Sequence, residues 1–355
     1  MKTADIASYR LINQRVSGSA FTKAAEVVSW LVAMQSQEYA MAKWAIRLRL
    51  PRSTEAKIED AFNKGEILRT HLMRPTWHFV TPADIRWLLF LTKPRVHMLN
   101  APYYRKNGLD NRILKKYADL LAKILQEKTH PTRDVISEEF SKRKIKATGE
   151  KLALILMYAE LEALICSGPR QGKQFTYALL DERATAEKRI FNREEALTEL
   201  VSRYFISRGP ATLQDFALWS GLTVKDAKAG TDILGSQLDS RIIDNQAYFF
   251  QKGLADKRPS LKTKPSFLLP DYDEFGISYK NKSLAFNILD VPGKKKPIIT
   301  FNHSFVIDGL IAGSWKQERK GKDIKIETSS FIPLTTAKSK KVEKAVKDYR
   351  SFFRT

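Results

Sequence analysis

A proline-threonine turn stands twice in this chain, as His130-Pro131-Thr132 and as Gly209-Pro210-Ala211-Thr212. The copies lie about eighty residues apart and hold equivalent places in two similar runs of pattern, as an internal repeat requires. Before the first copy, residues 111–126 read as a helix. After it come a helix over 130–140, a longer helix over 148–164 and a hairpin over 165–180 around Gly168-Pro169 and Gly172. Around the second copy the same order runs through helices at 193–207, 212–219 and 223–237 and a strand pair at 241–251. Three helices followed by a hairpin is the order of a winged helix.

The N-terminal part repeats the order less cleanly. Helices are expected over 5–16, from Thr22 as N-cap through Val27, Val28, Leu31 and Val32, and over 54–63 up to Gly65. Residues 67–80 alternate apolar and polar side chains about Arg74-Pro75 and predict a hairpin. From Lys262 the texture turns to short strands and loops, with Asp308-Gly309 a strong hairpin signal, and residues 335–353 predict a closing basic helix. The expected fold is therefore α+β and mostly α. Three tandem winged-helix units cover 1–108, 109–188 and 189–258, and a small β-rich C-terminal domain covers 262–355.

Charge narrows the class. Lys and Arg total 61 against 39 Asp and Glu, giving a formal net charge of +22 spread along the whole chain. Such a surface suits a polyanion such as double-stranded DNA. Lys294-Lys295-Lys296 and the lysines of 338–347 are read as solvated faces, with phosphate contact left open. The single cysteine, Cys166, excludes an intrachain disulfide and a cysteine-based zinc finger; its apolar setting predicts a buried thiol. The five histidines show no metal-ligand spacing, so no metal is expected. The first residues lack the apolar core of a signal peptide, and no run reaches membrane-span length. The expectation is a cytoplasmic, nucleoid-associated monomer.

The usual catalytic devices are missing: there is no Gly-rich phosphate loop, nucleophile elbow, Cys-His pair or diagnostic carboxylate pair. What remains is Gln35-Ser36-Gln37. Helical residues two apart point roughly 200° from one another, whereas extended ones share a face. The two amides can therefore serve one target only if the helix ends or distorts near Met34; the alternative reading is a plain helix terminus with solvated amides. On the hairpins, Arg69, Thr70, Arg74, Trp77 and His78, with Arg170 and Lys173, suit contacts to DNA. Trp77 also fits a core position.

Four stretches, MQSQEYAMAKWAIRLRLP, ILRTHLMRPTWHFVTPADIRWLL, FLLPDYDEFGISYKNKS and FVIDGLIAGSWK, together resemble the winged-helix family that contains the AlkZ and AlkX (YcaQ) DNA glycosylases. They span residues 34 to 316 in family order. The resemblance implies tandem winged helices in a C-shaped basic channel and excision of N-alkylated purines, with unhooking of some interstrand crosslinks, without a cofactor. It places the family's activity-bearing glutamine motif on Gln35 and Gln37. Ser36 stands where the family usually has an aliphatic residue, and Glu38 matches a position that is commonly acidic. Two functions are carried forward: a DNA glycosylase for cationic N-alkylated purines, and a non-catalytic tandem winged-helix DNA-binding protein whose glutamines merely end a helix.

Overall fold

The computed structural model describes residues 1–186, 189–256, 259, 264–285, 303–320 and 323–354. The lysines at 294–296 lie outside the described residues. Contacts group the chain into two compact units: Met1–Glu59 with Thr198–Trp219 and Thr223–Thr355, and Asp60–Leu197 with Ser220–Leu222.

The repeated turn has a structural basis in each unit. In the second unit Thr132 caps the Arg133–Lys142 helix by accepting from the Val135 amide, and its backbone bridges Thr176 of the hairpin Ile165–Ser167/Tyr177–Leu179. In the first unit the Thr212 amide donates to the Asp215 carboxylate and the Asp215 amide to the Thr212 hydroxyl, at the start of the Leu213–Ser220 helix. There Ala211 bridges Phe249 of the hairpin Leu238–Ile243/Gln246–Gln251 at 2.8 and 3.1 Å. Each turn thus starts a helix with its side chain and extends a hairpin with its backbone, using orphan groups at both ends. Gly209 has no room for a side chain: an added Cβ would stand 2.3 Å from the Phe205 carbonyl.

Helices precede both hairpins as expected, at Asn111–Glu127, Arg133–Lys142 and Gly149–Leu161, and at Arg193–Arg208, Leu213–Ser220 and Val224–Leu234. The N-terminal part holds one helix more than expected, Tyr39–Arg49, after Thr3–Asn13 and Ala24–Leu31 and before Glu55–Asn63. Its basic and apolar residues obscured the periodicity because Lys43 and Arg49 are themselves buried. The 22-residue helix Ile85–Lys106, which contains Pro94 and Pro102, is a further element beyond those expected. The grouping by contacts cuts across the consecutive segments read from sequence. Within the second unit, the hairpin Leu68–Leu72/Thr76–Val80 packs on the Gly149–Leu161 helix, where His71 hydrogen-bonds the fully buried Glu160.

In the first unit a four-stranded sheet has the order Asp323–Ser330, Leu310–Lys320, Ser304–Ile307, Phe267–Leu268. Asp308-Gly309 joins two strands with φ of 53° and 85°, both left-handed, as a two-residue type I′ hairpin needs. The Thr336–Phe353 helix closes this unit. Tyr349 sits edge-on to Trp44 at 5.1 Å and to Trp315 at 4.9 Å, and the Trp44 indole donates to the Leu268 carbonyl at 2.7 Å. These contacts tie the helix after the Gln35-Ser36-Gln37 stretch to the C-terminal sheet. Among the described residues no helix is long and apolar enough to cross a membrane.

Cys166 is fully buried, and burial pushes its thiol up to about 12. A disulfide exchange reagent at pH 8 is therefore expected to leave the native protein unmodified and to react once denaturant opens it. Prompt reaction of the native protein would contradict the burial.

Candidate active site

The Ala24–Leu31 helix stops abruptly. Val32 has φ 65° and ψ −55°, and the Ala33 amide donates to the Leu31 carbonyl at 2.7 Å. This is a γ-turn of the rare positive-φ kind, on a β-branched residue that resists that region. Such a conformation costs on the order of 1–3 kcal/mol and persists only where surrounding contacts impose it. The chain then runs extended through Met34–Gln35 and bends before the Tyr39–Arg49 helix. The helix ends where the two amides need it to. Gln35 is half-buried, Ser36 fully buried and Gln37 exposed, so the central side chain turns into the protein and its neighbours turn outward.

The contacts that impose the turn converge on Glu274. Its Oε1 accepts from the Gln35 backbone amide at 3.1 Å. Its Oε2 accepts from Arg208 at 2.7 Å, from the Trp219 indole at 2.9 Å and from the Ser278 hydroxyl at 3.0 Å. Arg208 in turn donates to the Ala33 carbonyl at 3.0 Å, while its guanidinium lies 4.2 Å above the Trp219 ring. One buried ion pair therefore holds the backbone on both sides of Met34. Both members are at most 1% exposed, so neither charge is relaxed by water.

A second pair supports the first. Arg49 forms a two-pronged bond to Asp273 at 2.8 and 2.9 Å and also donates to the Gln14 carbonyl, the Gln14 side chain and the Ala45 carbonyl. Gln14 donates to the Tyr279 hydroxyl at 2.8 Å, which donates to the Arg208 carbonyl at 2.8 Å. Arg10 stacks over the same Tyr279 ring at 3.5 Å. Sequence reading missed Arg49, Arg208, Asp273 and Glu274 as supports. The signal was present: the acidic run Asp271-Tyr272-Asp273-Glu274 lies beside apolar strand residues.

The expected DNA-contacting residues fare unequally. In the first hairpin Arg69 faces the side of Trp77, and its guanidinium lies 4.0 Å over that ring and 4.3 Å over Phe175. It is 4% exposed, and Thr70 and His78, opposed across the strands, are buried as well. The expectation that these three project to DNA is corrected. Strand parity put them on covered faces, which alternation alone cannot distinguish from a solvated one. Trp77 is half-buried against the core of the second unit, beside His71 at 3.8 Å between ring centroids. Arg74 and Arg170 are partly exposed and Lys173 is exposed, leaving these three charges and the rim of Trp77 accessible. Among the described residues no group of three or more His, Cys, Asp or Glu side chains is placed to hold a metal ion.

A family model described as DNA glycosylase AlkZ-like matches residues 28–352. The interstrand DNA cross-link repair glycosylase of Streptomyces sahachiroi is 21% identical over 220 residues, 61% of this chain. The match spans 59% of that relative's length. The solved structure of Streptomyces sahachiroi DNA glycosylase AlkZ has a TM-score of 0.81 to this fold, at 18% identity, covering 99% of this chain and 97% of that one. At this identity the likeness establishes the fold.

Replacing Glu274 with glutamine keeps its shape but leaves the buried Arg208 without a counter-charge. A loss of about 3–5 kcal/mol in unfolding free energy is expected, as for other broken buried pairs. Urea denaturation measures it, and a loss below about 1 kcal/mol would mean that the pair does not hold the turn.

Proposed function

The chain belongs to the AlkZ-like DNA glycosylase family, and on that premise we propose that it hydrolyses the N-glycosidic bond of cationic N-alkylated purines in double-stranded DNA. N7-alkylguanines are the central substrates, and bulky adducts and interstrand crosslinks at the same atom fall within the same chemistry. The observation that carries this reading is the strained, extended Gln35-Ser36-Gln37 stretch, which a buried ion pair fixes while the flanking amides face outward. A stretch that merely ended a helix would need neither a positive-φ valine nor a buried carboxylate to hold it.

The mechanism follows from what an amide can do. A glutamine side chain has an acceptor oxygen and donor nitrogen but no basicity at neutral pH, so it cannot deprotonate water as a carboxylate does. It can hold a water in line, and its carbonyl dipole favours positive charge developing on the sugar. That assistance suffices when the leaving group is already activated. An N7- or N3-alkylated purine carries a positive charge and departs neutral, so protonation by the protein is unnecessary. The amide pair therefore selects for cationic lesions and against uracil or undamaged purines. The Gln35 side chain makes no hydrogen bond to another described residue, which leaves its carbonyl for water.

Arg74, Arg170 and Lys173 are assigned to the DNA backbone, where sequence-independent charge contacts supply most of the affinity, and the rim of Trp77 to stacking against a base. A single copy acting at the nucleoid meets these requirements, and no cofactor is invoked.

Incubation with a duplex bearing one N7-methylguanine, followed by alkali to cut at abasic sites, is expected to give cleavage at the lesion. Gln35→Ala/Gln37→Ala is expected to keep duplex affinity within a few-fold and to lose at least about 100-fold in single-turnover rate, the scale for removing a preorganised electrostatic group. Wild-type protein that binds duplex but cuts neither this lesion nor a bulkier N7 adduct would establish the non-catalytic DNA-binding reading instead. A uracil-containing duplex is expected to remain uncut.

A further inference from the structure

The first unit carries a concave site whose lining does not include the glutamines. A cavity of about 420 Å³ opens between the Tyr39–Arg49 helix, the segment leading into strand Phe267–Leu268 and the Thr336–Phe353 helix. This volume lies within the roughly 300–1,000 Å³ typical of ligand pockets. Its lining brings together Arg47, Lys264, Lys341 and Lys344 against one carboxylate, Asp348, on a wall that includes Trp44. Lys341 is tied outside the lining to Asp308 at 2.5 Å. The other three cations have no ion pair within 4.0 Å among the described residues.

Arg47 is the informative member. It is only partly exposed, and burial acts against its charge while Asp348, the carboxylate in the lining, acts for it from beyond ion-pair distance. A guanidinium stays protonated at any physiological pH, so withdrawing it from water without a bonded counter-ion carries a cost. Apolar walls lower the local dielectric and strengthen the field of the three cations in the lining. These residues come from three separate stretches of sequence, and folding sets them around one opening. An anion with several acceptor oxygens meets that arrangement best, because Arg presents a planar fork and Lys a point charge to the same group.

We propose that this pocket is a phosphate-binding site that takes a backbone phosphate of the DNA, adding a contact separate from the hairpins. The assignment rests on DNA being the substrate. A backbone contact of this kind adds affinity without reading sequence and without touching the reacting sugar. It fixes the register of the duplex on the first unit, the unit that carries Gln35 and Gln37.

The test is the salt dependence of binding to an undamaged fluorescent duplex, for wild type, Lys264→Gln/Lys344→Gln and Arg47→Gln. Each lost phosphate contact lowers the slope of log K against log salt by about 0.9. The lysine double variant, altered only at exposed positions, is expected to lower the slope by about one and weaken binding several-fold at physiological salt. Its melting temperature is expected to match wild type, since both lysines are exposed. An unchanged slope in both variants, with wild type binding normally, overturns the proposal and leaves the proposed function standing. Wild type that fails to bind duplex at low salt overturns both. Titration with inorganic phosphate and pyrophosphate, followed by phosphorus NMR, separates the other source. Line-broadening that Arg47→Gln abolishes, together with an unchanged DNA slope, would assign the pocket to a free phosphorylated ligand and overturn the DNA assignment.

Discussion

Glu274 and Arg208 meet at 2.7 Å in a part of the first unit that water does not reach. Taken as a contribution to stability, a buried pair of this kind is close to neutral against apolar residues of the same volume. Its consequence is geometric. Each charge also bonds one backbone group of the Ala33–Gln35 segment, so the segment has one low-energy position in place of several. Arg49, Asp273, Gln14 and Tyr279 extend this constraint to the N-terminal helix and to the turn that presents Glu274. Loosening any of them leaves a polar group buried without its partner, which is the expensive direction of the change.

That constraint explains how a left-handed valine is tolerated. A γ-turn at Val32 relaxes into another helical turn unless the carbonyl and amide that follow it are claimed elsewhere, and here Arg208 and Glu274 claim them. The gain is orientation. Ending the helix there turns two amides, which a helix would send to opposite sides, into neighbours flanking one buried serine. Since amides bring no acid or base strength, their usefulness to a glycosylase depends wholly on being held where charge and water must be. In the mechanism proposed above, the rigid backing makes weak groups serviceable, and the positive charge of an alkylated purine supplies the remaining driving force.

The repeat was the most legible feature of the fold. Pro131-Thr132 and Pro210-Ala211-Thr212 announce a helix start through the side chain and a strand extension through the backbone, and both signals are local. The same holds for Asp308-Gly309, whose turn depends on two left-handed residues in succession. The Tyr39–Arg49 helix was hidden for the opposite reason. Its Lys43 and Arg49 look like a solvated face, yet Lys43 bonds Glu55 and Glu59 while Arg49 bonds Asp273. Arg69 misled in the same way, since a cation held between Trp77 and Phe175 has the same sequence signature as one facing a phosphate.

The sequence by itself determined the class of the fold, the repeated helix-to-hairpin order, the basic surface and the family, together with the glutamine pair as the place to look. These are properties of short-range pattern, composition and ordered motifs, which survive without knowledge of distant neighbours. Only the tertiary structure decided which charges are buried among partners and which stay at the surface. Arg69, Arg208 and Arg49 became supports, whereas Lys173, Arg47 and Lys344 stayed accessible. The physical reason is that the role of a charge depends on what lies within about 4 Å of it, and most partners here stand far away along the chain: Glu274 lies 66 residues from Arg208 and 239 from Gln35.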